Sequence, residues 1–141
     1  MTYTGNINNN KEKYLYFRTE PTDVEAITAA HAATFPASSL MGIAPTSRTT
    51  VTLYFKSMVR GVPSGNEPDE NASFDNNDSV ILTVTTETQF TTIKAIIEAI
   101  NNPNLPSVIV VANDDSGGTE YLSGSTITAC GAITVSVAYT N

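Results

Sequence analysis

Val80-Ile81-Leu82-Thr83-Val84, then Gln89-Phe90-Thr91-Thr92-Ile93-Lys94-Ala95-Ile96-Ile97-Glu98-Ala99-Ile100, then Val108-Ile109-Val110-Val111 carry the clearest succession of apolar periods in the chain. Its first part alternates, with Val80, Leu82 and Val84 on one side and Thr83 and Thr85 on the other, which is the period of a strand. In its second part Phe90, Ile93, Ile96, Ile97 and Ile100 recur at helical spacing, and the third runs apolar without a break. Strand, helix, strand is the expected order. Thr86 and Gln89 stand three apart, the spacing of a capping box, and Asn101-Asn102-Pro103 stops the helix. If the two strands shared one sheet they would lie parallel with a right-handed crossover, the helix resting its apolar face on them.

Upstream, Tyr14 to Thr19 reads as a first strand closed by Pro21. Asp23 to about Ala30 has the pattern of a short helix. Phe35-Pro36, Gly42 and Pro45 then interrupt any period, so Ala37 to Ser47 reads as a connection that tucks Leu40, Met41 and Ile43 against the sheet. Thr49 to Val59 alternates again: Val51, Leu53 and Phe55 face inward, while Thr50, Thr52, Tyr54 and Lys56 give the strand a wet side. Asn113 to Gly118 has turn chemistry. Tyr121 to Tyr139 supplies one or two more strands, with Ile127, Ile133, Val135 and Val137 as inward positions. These elements predict an α+β fold, a mixed β-sheet of about five to six strands with one principal helix on one face.

The chain has 141 residues, 40% of them hydrophobic and 15% charged. That suits a single domain with one core. We expect residues 1–12 to be a flexible N-terminal arm and 13–141 to be a single domain carrying a long acidic loop at 61–78. A net charge of -7 and only seven Lys and Arg, none beyond Lys94, oppose contact with a phosphate backbone, so nucleic acid is excluded as a partner class. No run approaches the length of a membrane span and no leader pattern opens the chain. A cytoplasm is the expected place of synthesis.

Chemistry-bearing residues are sparse. His31 and Cys130 are the only histidine and cysteine, so a Cys/His nucleophile would have to be built from these two. A partly packed imidazole and a small buried thiol are the plainer readings. Asp69-Glu70-Asn71-Ala72-Ser73-Phe74-Asp75-Asn76-Asn77-Asp78 places oxygen ligands at alternating positions, as Ca²⁺ requires, but Phe74 stands where an EF-hand loop has its glycine and the closing Glu is missing. Asp114-Asp115, beyond the Val108 strand, is where open sheets gather ligands, yet it also reads as an ordinary turn. Gly117-Gly118 and Gly124 precede strand-like sequence and have no following Lys, so they form no phosphate cradle. No catalytic, metal or cofactor residue is assigned. Tyr3, Ile7 and the aromatic Phe74, in an otherwise polar loop, are the candidate interface residues.

Lys13-Tyr14-Leu15-Tyr16-Phe17-Arg18, Phe35-Pro36-Ala37-Ser38-Ser39-Leu40-Met41-Gly42-Ile43, Thr52-Leu53-Tyr54-Phe55-Lys56 and Asp78-Ser79-Val80-Ile81-Leu82-Thr83-Val84 give the chain a texture that resembles small virion proteins of tailed marine bacteriophages, particularly those of cyanobacteria. The resemblance implies a non-enzymatic, head-associated or decoration protein, localised to the virion and bound in many copies to a capsid or another virion protein, with self-association an option. It carries over no functional residue. A neck, tail or fibre-base component is the alternative within that class; a small-ligand or calcium-binding domain is the alternative outside it.

Overall fold

The computed structural model describes residues 12–21, 28–57 and 77–135. They form eight strands, one α-helix and one turn of 3-10 helix: β1 (Tyr14–Arg18), β2 (Ala32–Pro36), the 3-10 turn (Ala37–Ser39), β3 (Leu40–Ser47), β4 (Thr50–Lys56), β5 (Asn77–Val84), α1 (Gln89–Ile100), β6 (Val108–Asn113), β7 (Glu120–Tyr121) and β8 (Ile127–Thr134). The fold is α+β as expected, but the strands divide into two four-stranded sheets instead of one sheet of five or six. The first has the order β2-β1-β6-β7 and the second β3-β4-β5-β8. All pairings are antiparallel except that of β1 with β6.

The two sheets face each other across a single apolar core. Leu15, Phe17, Ala33, Phe35, Ile109 and Val111 point in from the first sheet, and Val51, Leu53, Phe55, Val80, Leu82 and Ile133 from the second. Three aromatic rings join the layers. Phe35 of β2 stacks on Phe55 of β4 with centroids 4.2 Å apart and planes 8° from parallel. Phe17 of β1 sits edge-on to Phe55 at 6.1 Å. Such pairs add about 0.5–1.5 kcal/mol each beyond the burial of their area.

The division into two sheets corrects the expected crossover. β5 and β6 lie in different sheets, so α1 carries the chain from one layer to the other instead of resting on a parallel pair. Its buried stripe is Thr92, Ala95, Ile96 and Ala99, and Ile93 and Ile100 pack against the core beside it, so the face that periodicity suggested holds at Ile93, Ile96 and Ile100 and departs at Phe90, 74% exposed, and Ile97, 46% exposed. Thr92 is buried because its hydroxyl accepts the Thr126 N–H at 3.0 Å, and small Ala95 lets the Gly124 turn approach closely. The capping box also fails. The N-cap is Thr88 and makes no side-chain cap bond, while the Gln89 amide donates to the Ser47 carbonyl and so ties the helix to the end of β3.

Two strands stand where breaks were expected. β2 and β3 include Pro36, Gly42 and Pro45; β3 is an edge of its sheet, where a missing N–H leaves no ladder bond unmade. Leu40 and Ile43 do pack on the core, but Met41 points outward and is half exposed. Thr52, expected on the wet side of β4, is buried under β3, its hydroxyl within 2.9 Å of that of Thr46. At the other end of the long loop, Asn77 and Asp78 belong to β5, and Asp78 is fully buried. The arm at 1–11, residues 22–27 of the expected short helix, loop residues 58–76 and Val137 lie outside the described residues. Among the described residues no helix is long and apolar enough to cross a membrane.

Candidate interaction surface

The carboxyl ends of the parallel pair β1 and β6 are where a ligand site would be built, and they hold Arg18, Asp114 and Asp115. Asp114 follows the last residue of β6 and its own N–H donates to the Arg18 carbonyl at 3.0 Å. Its carboxylate is shared between two partners: Oδ1 accepts the Tyr121 hydroxyl, and Oδ2 accepts the Cys130 N–H at 2.9 Å. Because Tyr121 is in β7 and Cys130 in β8, the carboxylate joins the two sheets. Asp115 serves the turn, accepting the Gly117 N–H at 3.1 Å, with the Arg18 guanidinium 3.9 Å away. The Arg18 Nε donates to the Glu20 carbonyl at 2.7 Å.

This cluster does structural chemistry. Burial raises the Tyr121 hydroxyl to about 12, with further lifts from its bond to Asp114 and from the Asp114 charge. Burial likewise pushes the Cys130 thiol up to about 12, helped by the Asp114 charge, so the sulfur is held as a protonated thiol, a poor nucleophile. His31 lies 3.9 Å from a Glu20 oxygen. Between it and Cys130 stands Thr19, whose N–H donates to the His31 carbonyl at 2.8 Å and whose hydroxyl donates to the Cys130 carbonyl at 2.9 Å. Thr19 thus ties the end of β1 to the main chain at both His31 and Cys130. Among the described residues no group of three or more His, Cys, Asp or Glu is placed to hold a metal ion.

The feature that stands out lies on the opposite face of the first sheet. Since Leu15, Phe17, Ile109 and Phe35 point into the core, Tyr14, Tyr16, Thr34, Pro36, Val108 and Val110 point away from it. Strand pairing sets them in rows. Pro36, Tyr14 and Val108 form one, and Thr34, Tyr16 and Val110 the next. Tyr14 is 40% exposed and Val108 51%. None of the six is Asp, Glu, Lys, Arg or His, in a chain whose net charge is -7. An uncharged aromatic and β-branched face of this kind has the composition of a contact surface, where Tyr is enriched and charge depleted.

Tyr3, Ile7 and Phe74, the residues singled out from the sequence, lie outside the described residues. The exposed face was missed because Val108 to Val111 reads as a run buried on both sides. The signal was present in Tyr14 and Tyr16, which alternate with Leu15 and Phe17, but an all-apolar strand does not declare which of its faces is covered. Comparison with protein-family models, with characterised proteins and with solved structures finds no match.

Proposed function

We propose that this chain is a non-enzymatic structural protein of a tailed-phage particle, a decoration or head-associated protein that binds the capsid surface in many copies through the outer face of its first sheet. The observation that carries the proposal is the row pair Pro36-Tyr14-Val108 and Thr34-Tyr16-Val110, an uncharged patch on a strongly acidic molecule. Like charges repel, so an acidic protein packed at high copy number makes its closest contacts through surface that carries none. The likeness of its text to small virion proteins points the same way. So does the use of its acidic cluster, which ties the two sheets together.

Quantitative mass spectrometry of purified particles of the phage encoding this chain tests the proposal, with a stoichiometric, many-copy signal expected. Absence from the particle would overturn it, and electron cryomicroscopy that placed the chain at the neck, tail or fibre base would move the assignment there.

A further inference from the structure

β7 pairs with only the last two residues of β6, Tyr121 with Ala112 and Glu120 with Asn113. One more bond follows, from the Leu122 N–H to the Val111 carbonyl at 3.0 Å, and then the chain turns away through Ser125, whose N–H donates to the Leu122 carbonyl at 3.1 Å. Gly124 makes that turn at φ +86°, a conformation that favours glycine. Among the described residues the first half of β6 is therefore paired on one side only, by β1. In that parallel pair the Tyr14 N–H donates to the Ser107 carbonyl at 2.7 Å, so Ser107 and Ile109 direct their amides and carbonyls toward β1. Those of Val108 and Val110 point to the other edge. Among the described residues nothing ladders with them there.

A cavity of about 370 Å³ runs along this edge, lined by Val108, Ile109 and Val110 in succession. Consecutive side chains point to opposite faces, so three in a row border one cavity through their backbone edge. Leu105 and Leu122 wall it, and both also line a groove of about 410 Å³ beside α1.

We infer that the N-terminal segment of the same chain, Tyr3 to Ile7, completes this edge as a short strand antiparallel to β6, in line with β7. The attachment point favours it. Lys13, at the start of the described chain, donates its ammonium to the carbonyls of Asn102 at 2.5 Å and Leu105 at 3.1 Å, and both residues border the groove beside α1. The eleven residues ahead of Glu12 reach up to ~36 Å when extended, whereas the open edge lies two strand spacings from β1, about 10 Å. An antiparallel course ends beside Ser107, where β1 begins, and leaves Asn8 to Lys13 to make the crossing.

The chemistry of the segment agrees. Tyr3 and Ile7, four apart, share one face of an extended strand and would rest on Leu105 and Leu122. Thr2 to Asn10 carries no charged side chain, so the segment loses no ionic hydration on docking. Tethered at the groove wall, it is present at an effective concentration on the order of millimolar, which favours it over the same segment of a second copy. The added strand would widen the uncharged face, but the inference concerns the isolated chain and stands or falls apart from any particle.

Amide hydrogen exchange followed by NMR tests it in the full-length protein. The Val108 and Val110 amides are expected to exchange at least tenfold faster in Ile7→Asp than in the wild type, with Val80 and Leu82 of the other sheet unchanged. Cross-strand contacts between residues 3–7 and Val108 or Val110 should appear in a uniformly labelled sample and vanish from intermolecularly filtered spectra of mixed labelled and unlabelled protein. Equal exchange in the two proteins would overturn the inference. Contacts seen only between differently labelled copies would overturn it too, assigning the edge to a second copy or another chain.

Discussion

Asp114 and Cys130 meet across the two sheets, the backbone N–H of Cys130 in β8 donating at 2.9 Å to a carboxylate that stands at the end of β6. With Tyr121 on its other oxygen, Asp114 leaves little for a ligand to claim. Truncation should measure the latch: Asp114→Ala strands a donor at a buried residue and is expected to cost about 1–3 kcal/mol, and Tyr121→Phe about 0.5–1.5 kcal/mol. Urea unfolding gives both values, and the double variant should cost less than the sum because the two changes remove one shared network. An Asp114→Ala protein as stable as the wild type would remove the latch from the account.

The same cluster sets an alkaline limit. Tyr121 rises from 10.0 to about 12 on folding and Cys130 from 9.0 to about 12, so between these limits the folded chain holds protons that the unfolded chain has released. Stability is therefore full below pH 9 and falls as the pH climbs toward 12. Denaturation midpoints taken from pH 8 to 11.5 should decline through that window. Tyr121→Phe should flatten the part above pH 10.

Thiol chemistry offers an independent reading of Cys130. At pH 8 the folded protein should carry about a thousandfold less thiolate than the denatured chain, so a disulfide reagent should titrate Cys130 rapidly only in denaturant. Fast modification of the native protein would show that the sulfur is not enclosed as the 4% exposure of this residue requires.

Gly131 marks a close approach within the second sheet. A Cβ placed there would come 2.8 Å from the Ile81 carbonyl oxygen, which is backbone and cannot swing aside. Gly131→Ala is expected to destabilise by about 1–3 kcal/mol, whereas Gly118→Ala, which meets nothing within 4 Å, should stay within about 0.5 kcal/mol of the wild type. Thermal melts of the pair separate a local clash from a general intolerance of substitution.

The outer face makes its own prediction. Val108→Lys adds a charge at a half-exposed position without touching the core, so the isolated protein should keep its stability to within about 0.5 kcal/mol. Association with particles stripped of the native chain should fall at least tenfold, because a charge in the middle of an apolar contact must be desolvated. Undiminished binding would place the contact elsewhere on the molecule.

Much of this architecture was legible in the sequence, and what was hidden has physical causes. β1, β4, β5, α1, β6 and β8 each span enough residues for their period to show, and Val80, Leu82, Val51, Leu53 and Phe55 were identified as core. β2 and β3 escaped because Pro36, Gly42 and Pro45 carry the signature of a break, which an edge strand tolerates. Partition into two sheets was invisible because it depends on which layer each strand joins after α1, and periodicity says only which side of a strand is dry. The helix was placed correctly and Ile93, Ile96 and Ile100 do face the core, but Phe90 and Ile97 are exposed, and the buried Thr92 and alanines were not anticipated because small side chains that meet the Leu122 to Thr126 turn leave no mark in an apolar period. In the Asp114 cluster the turn was readable from Asp-Asp-Ser-Gly-Gly. Its link to Cys130 was not, because that partner comes from the opposite layer.

The pairing of β1 with β6 and of β5 with β8 bears on how the molecule is made. Each sheet takes strands from both halves of the chain, and the last of them, β8, also supplies the amide that closes the latch at Asp114. A ribosome that has delivered β1 through β5 has delivered two unfinished layers, with Phe17, Phe35 and Phe55 still short of the partners that bury them. Folding waits for the C-terminal strands, and stalled or truncated products should be prone to aggregation, with their exposed strand edges as the cause.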